Sequence, residues 1–143
     1  MAIQQTLVIF KPDMMDAAQG ASQVAAQRLF TGRGFRPIQM KFAEPGSAAW
    51  EEHYGAHRGK GFFPPLIGFM TSGPSLFVSY EGEDAVAVIR DWLGATNINE
   101  AEAGTLRHTF RELSYGPMPG PSTLFHASES AEDAQREIAL HFG

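Results

Sequence analysis

The chain has 143 residues, of which 43% are hydrophobic; it carries a formal net charge of −5 and contains no cysteine. That length predicts one domain, residues 1–143, with a real core, and the missing cysteines exclude disulfides and thiolate chemistry. The acidic balance argues against binding nucleic acid through its phosphate backbone, although a nucleotide needs only a few convergent cations. With no run of about 18 apolar residues, and no basic stretch before the first apolar run, the chain reads as neither membrane-spanning nor secreted, which fits a cytoplasmic location.

TLVIF (6–10) is a continuous apolar run with β-branched members, which predicts a buried first strand. Residues 22–35 predict a helix capped by Ser22, with Ala21, Ala25 and Leu29 on one face and Gly32 or Gly34 at its end. FRPIQMKF (35–42) alternates, with Ile38, Met40 and Phe42 on one side; Pro37 cannot donate to a ladder, so this strand either lies at a sheet edge or begins there. Residues 47–57 read as a helix opened by Ser47. FFPPLIGFM (62–70) is ambiguous, because Pro64 and Pro65 are tolerated only in a first helical turn. A turn at SGP (72–74) leads into a strand at 75–80, then a helix from Asp84 to Gly94 with Ala85, Ile89 and Trp92 facing the core. From Ala95 to Ser122 there is little periodicity, and a loop that long is usually functional or mobile. TLFH (123–126) predicts a last short strand, and a closing helix starts near Ser130 with Ala131, Ala134 and Ile138 on one face. Alternating strands and helices give an α/β class, and the pattern alone favours a parallel, doubly wound sheet.

Two motifs fail. GAHRGKG (55–61) has three residues between its glycines where a P-loop has four, and Gly61 follows Lys60 where the loop needs Ser or Thr. His53 and His57 have the i, i+4 spacing of a zinc pair, but no third ligand accompanies them in sequence, and they read as two solvated helix histidines.

His126 offers more. It ends a strand just before a helix N-terminus, where α/β proteins place reactive groups and bind anions. Its neighbours Ala127 and Ser128 are small, and Glu137 in the following helix can reach back to orient the ring. Imidazole, with a free pKa of about 6.5, is a competent nucleophile toward phosphorus at neutral pH. Alone, His126 also reads as a strand-end histidine bonded to backbone.

Along almost its whole length the chain resembles the nucleoside diphosphate kinases. The matching pieces keep one order: KPD (11–13), RGF (33–35), HY (53–54), FF (62–63), SGP (72–74), LGATN (93–97), GTLR (104–107) and HASES (126–130). The resemblance implies a ferredoxin-like α+β sandwich, a four-stranded antiparallel sheet covered by helices. It also implies γ-phosphoryl transfer from a nucleoside triphosphate to a nucleoside diphosphate, by a ping-pong cycle through phosphorylated His126. Lys11, Arg90 and Arg107 match phosphate ligands, with Tyr54 and Thr96 donating hydroxyls; Phe62 matches the base-stacking ring, and Leu66 shares its cleft. Ser128 and Glu137 match the pair that braces the histidine. Magnesium enters on the nucleotide phosphates, since no carboxylate cluster forms a cage. The implied partners are nucleotides and further copies of the chain, with a dimer as the minimal unit, and no specific nucleic acid.

Some positions depart from the family. Thr123 stands where asparagine helps to hold the ribose, Ala127 where glycine follows the histidine, Glu129 where aspartate is usual and Ile98 where proline is usual. The loop between Phe110 and Thr123 is longer by several residues, most of LSYGPMPGPS. Ala127 is expected to adopt an ordinary φ, since alanine is strained at positive φ. The departures motivate an alternative: a nucleotide-binding or scaffold protein with impaired catalysis.

Overall fold

The structure, a computed structural model, describes residues 2–16, 20–114 and 124–143. Thr123 and most of the lengthened loop lie outside the described residues.

Four strands form one sheet: β1 (Ile3–Phe10), β2 (Arg36–Ala43), β3 (Ser75–Glu83) and β4 (Phe125–Ala127), in the order β2-β3-β1-β4. Every pairing is antiparallel, so the parallel arrangement suggested by pattern alone is wrong. Strand–helix alternation fixes that connections cross a face; it does not fix which strand lies beside which. Here β3 inserts between β1 and β2, and β4 returns to the far side of β1.

β1 explains its own apolar run. Val8 and Phe10 point to one core, with Phe30, Tyr80, Ile89 and Phe125; Leu7 and Ile9 point to a second, with Trp50, Leu66, Met70 and Phe77. Helices cover both faces, so the central strand has no polar side to show. The first face carries α1 (Pro12–Asp16), α2 (Ala21–Gly32), α5 (Ala85–Leu93) and α6 (Leu106–Thr109). The second carries α3 (Ser47–His53), α4 (Phe63–Met70) and α7 (Ala131–Phe142).

Pro37 does lie on an edge strand, where a register shift falls between Pro37 and Gln39. The ambiguous stretch is helix α4, with its prolines in the first turn. Two helix starts differ from expectation. α2 and α3 follow Gly20 and Gly46, so Ser22 and Ser47 sit inside the helices and cap nothing. The buried stripe of α2 is Gln23, Ala26 and Phe30, not the face bearing Ala21, Ala25 and Leu29. The ring of Phe30 stacks on Tyr80 at 4.6 Å, and that aromatic contact sets the rotation of the helix. Among its described residues the aperiodic stretch holds α6 and two 3₁₀ turns, Ile98–Glu100 and Arg111–Leu113. Ile98 is buried in the first core.

Candidate active site

β1 and β4 bring the first site residues together. Their antiparallel register sets His126 opposite Ile9. Beyond the strand end, the Lys11 N–H donates to the Leu124 carbonyl at 2.9 Å. Leu124 holds a φ of 73°, unusual for a branched residue. Its N–H donates to both carboxylate oxygens of buried Asp13, at 3.1 and 3.2 Å. Asp13 thus pins the start of β4 to the end of β1 and fixes Lys11 relative to His126. Ala127 is ordinary strand backbone, as expected.

Behind His126 stands a bonded series. Its Nε2 lies 2.8 Å from Glu137 Oε1, and the Ser128 hydroxyl donates to the same oxygen at 2.7 Å. Ser128 Oγ in turn accepts the Leu7 N–H at 3.2 Å. Burial raises the pKa of Glu137, but the electrostatic pull of the His126 ring, the hydrogen bonds from His126 and Ser128, and Arg136 together outweigh it and hold the carboxyl below its usual range. An ionised carboxylate accepts, so Nε2 carries the proton and the Nδ1 lone pair is free. Ser130 caps α7 by accepting the Asp133 N–H, which starts the helix where Glu137 can reach the strand.

A cleft of about 350 Å³ opens over His126, lined by Lys11, Tyr54, Phe62, Arg90, Thr96, Arg107, Glu137 and others. That volume is at the small-ligand scale. Lys11 is buried, and its pKa falls to about 7 through burial first and Arg107 second, with Asp13 opposing. Arg107 donates to the Gly94 carbonyl at 2.7 Å and to the Phe125 carbonyl at 3.0 Å. Gly94 has a φ of 89°, and a Cβ there would meet Thr105 at 2.7 Å, so no other residue fits without displacement. The Tyr54 hydroxyl is buried without a hydrogen-bond partner among the described residues, and burial, then Glu137, push its pKa up. Arg90 and Thr96 are exposed on the rim; Arg90 lies 3.5 Å from Glu129, so the longer glutamate arm meets this chain's own cleft.

Leu66 is a correction. It is fully buried in the second core and does not line the cleft, because α4 turns that face onto Trp50 and Met70 while Phe62, just before the helix, keeps an edge in the cleft. Ser128 also sits behind the cleft wall and acts through Glu137.

His53 is a second correction. It is not solvated but 4% exposed, with Nδ1 at 2.9 Å from His141 Nε2 and its ring edge-on to His126 at 4.6 Å. His57 stays at the lip, 3.1 Å from Lys60 Nζ. Sequence reasoning also passed over His141 and Arg136. Arg136 lies 3.6 Å from Glu137 Oε2, one helix position away, and the i, i+4 step from Glu137 to His141 was the available signal.

The profile of the family described as nucleoside diphosphate kinase matches residues 4–143. The chain belongs to the nucleoside diphosphate kinase family. It is 40% identical over 140 residues to the nucleoside diphosphate kinase of Methanosarcina barkeri, covering 98% of this chain and 88% of that one. With that of Pelotomaculum thermopropionicum the identity is 38% over 140 residues, with the same coverage of 98% and 88%. The crystal structure of the Aquifex aeolicus nucleoside diphosphate kinase superposes with a TM-score of 0.84 at 35% identity, covering 99% of this chain and 96% of that chain. A halophilic nucleoside diphosphate kinase from Halobacterium salinarum, solved in complex with CDP, gives 0.85 at 33% identity, over 99% and 88%. As in those nucleoside diphosphate kinases, the sheet is four-stranded, antiparallel and flanked by helices.

Proposed function

We propose that this nucleoside diphosphate kinase family member moves a γ-phosphoryl group from a nucleoside triphosphate to a nucleoside diphosphate through phosphohistidine at His126. The supporting observation is the division of labour on one ring. Glu137 holds Nε2–H, which leaves Nδ1 with a lone pair at the floor of a cationic cleft. Nδ1 attacks the γ-phosphorus, the bond to the β-bridging oxygen breaks, and the diphosphate leaves. The positive charge that develops on the ring is met by Glu137. A second diphosphate then takes the group from Nδ1, and the ring returns to its neutral form.

Phosphoryl transfer needs placement and neutralisation more than covalent work by the protein. Lys11, Arg90 and Arg107 supply the charge; Thr96 and the Tyr54 hydroxyl, which has no partner among the described residues, supply donors to phosphate oxygens. Phe62 offers a face to the base, worth roughly 1–3 kcal/mol and indifferent to which base it is. Thr123 is assigned the ribose, with a shorter reach than asparagine. Magnesium bound to the nucleotide phosphates would add charge neutralisation. The one three-residue ligand cluster found among the described residues is rich in imidazole nitrogen and does not suit that hard ion.

The same reading includes a single domain, a cytoplasmic location and at least a dimer. No helix among the described residues is long and apolar enough to cross a membrane. The dimer is supported by edge strand β2, which leaves Ile38, Met40 and Phe42 exposed at 41%, 51% and 60%, beside exposed Val24 and Leu29 on α2.

Incubation with magnesium and γ-labelled ATP is expected to put an acid-labile phosphate on the protein, discharged by any nucleoside diphosphate and absent from His126→Ala. Label persisting on the alanine variant moves the nucleophile elsewhere; nucleotide binding with no label at all supports the impaired alternative.

A further inference from the structure

Beneath the cleft, three side chains from three elements converge. His53 ends α3, His126 lies on β4 and Glu137 on α7. One ligand atom from each lies within 4.8 Å of the other two. Four-coordinate zinc has bonds of about 2.0–2.2 Å, which places its ligand atoms roughly 3.5 Å apart. Closing this trio onto an ion therefore takes movements of about 1 Å, within reach of side-chain torsions.

His53 adds an independent sign. Its Nε2 is buried and has no hydrogen-bond partner among the described residues. A buried polar atom left unpaired is costly, and such exceptions call for an explanation. The other ring nitrogen is engaged: Nδ1 lies 2.9 Å from His141 Nε2. With His141 as acceptor, Nδ1 carries the proton and Nε2 the lone pair, the tautomer that ligates a metal. A second group holding the far nitrogen is how metal-binding histidines are oriented.

We propose that His53, His126 and Glu137 form a binding site for a divalent transition metal of borderline softness, Zn2+ foremost, at the floor of the nucleotide cleft. Two imidazoles and a carboxylate suit zinc, cobalt or nickel; magnesium prefers oxygen ligands throughout and does not compete. The fourth position faces the cleft, open to water. On binding, the proton shared by His126 Nε2 and Glu137 leaves to solvent, and both atoms bond the metal instead. Arg136, 3.6 Å from Glu137 Oε2, together with Lys11 and Arg107, opposes the incoming charge, so the site is weaker than a structural zinc site. Occupancy removes the brace from His126 and draws density from its ring, which makes the metal an inhibitor of phosphorylation.

The test needs no nucleotide and so stands apart from the phosphoryl-transfer reading. Co2+ is added to the metal-free chain and its visible d–d band followed; Zn2+ is titrated by calorimetry. One ion per chain is expected, with affinity at least tenfold weaker in His53→Phe and His53→Gln and unchanged in His57→Ala. Wild-type affinity in both His53 variants, or loss of binding in His57→Ala, overturns the proposal and moves the ion to the lip. Imidazole nitrogen NMR of the wild-type chain guards against variants that do not fold. Zn2+ is expected to shift His53 and His126 nitrogens and leave His57 in place; a spectrum with only His57 moving is the contrary result. Where the site holds, Zn2+ blocks labelling of His126 by MgATP and a chelator restores it.

Discussion

His53 and His141 meet ring to ring inside the second core, Nδ1 to Nε2 at 2.9 Å, with no carboxylate between them. Burial first, then the neighbouring His126, lowers both: His141 to about 4 and His53 well below its usual 6.5. The unfolded chain takes up these protons near pH 6.5, whereas the fold resists protonation of His141 until about pH 4 and holds His53 neutral well below its usual range. The stability they lend is therefore whole above pH 6.5 and drains away as pH falls from 6.5 toward 4. For His141 alone the loss is on the order of 3 kcal/mol. Urea midpoints measured across that interval are expected to fall, and His141→Phe to flatten the fall. An equal slope in the variant would show that other groups govern acid unfolding.

Glu137 Oε1 receives both the Ser128 hydroxyl and His126 Nε2. In Glu137→Gln the amide oxygen can still accept one of these, but it offers no charge to the ring as phosphate arrives. Losing such an orienting partner typically costs 10–100-fold in activity. The expected result is a fall of about that size in the rate of His126 phosphorylation, with nucleotide affinity nearly unchanged. Rapid-quench labelling with γ-labelled ATP separates the two quantities, and a variant that phosphorylates at the parental rate would remove Glu137 from the brace.

Much of this was legible in the residues. TLVIF reads as a strand because both faces are apolar, and Pro37 places β2 at an edge; both hold. Strand order was not legible, because nothing local tells β1 to accept β3 rather than β2. Resemblance supplied that, as it supplied Lys11, Arg90 and Arg107, which look like surface charges singly. His53 was misread for a related reason. Its i, i+4 partner His57 points to the lip, while its real neighbours, His126 and His141, come from β4 and α7. Leu66 was misplaced because a helix starting at Phe63 carries it past the cleft wall into the core.

Asp13 carries a structural load that its place in KPD does not advertise. Its carboxylate takes the Leu124 N–H, where the backbone sits at a φ of 73°. Asp13→Ala leaves that buried N–H unpaired, at a cost of about 1–3 kcal/mol, and releases a conformation that is itself unfavourable by roughly 1–2 kcal/mol. Thermal unfolding is expected to come several degrees earlier. Leu124→Gly removes that strain but also empties a fully buried position of the first core, so it is destabilising by itself; the double variant is expected to lose less than the sum of the two single losses. Strict additivity of the two substitutions would argue that Asp13 does not hold the strained turn.

Lys11 sits in the cleft with a pKa of about 7, lowered by burial and Arg107 against the pull of Asp13. An arriving polyphosphate favours the charged ammonium and raises that value. At pH 8 the free chain is therefore mostly neutral at Lys11 and the bound chain is charged, so binding a nucleoside diphosphate takes up close to one proton. A phosphate whose second pKa is about 6 is already ionised there and contributes little. Affinity is expected to rise as pH falls from 9 toward 7, by up to tenfold per unit while only the bound form holds the proton, and to level off below 7. Calorimetry at pH 8 in two buffers of different protonation enthalpy measures the uptake directly. Lys11→Met is expected to abolish it and to weaken binding; uptake that persists in Lys11→Met would assign the proton to another group.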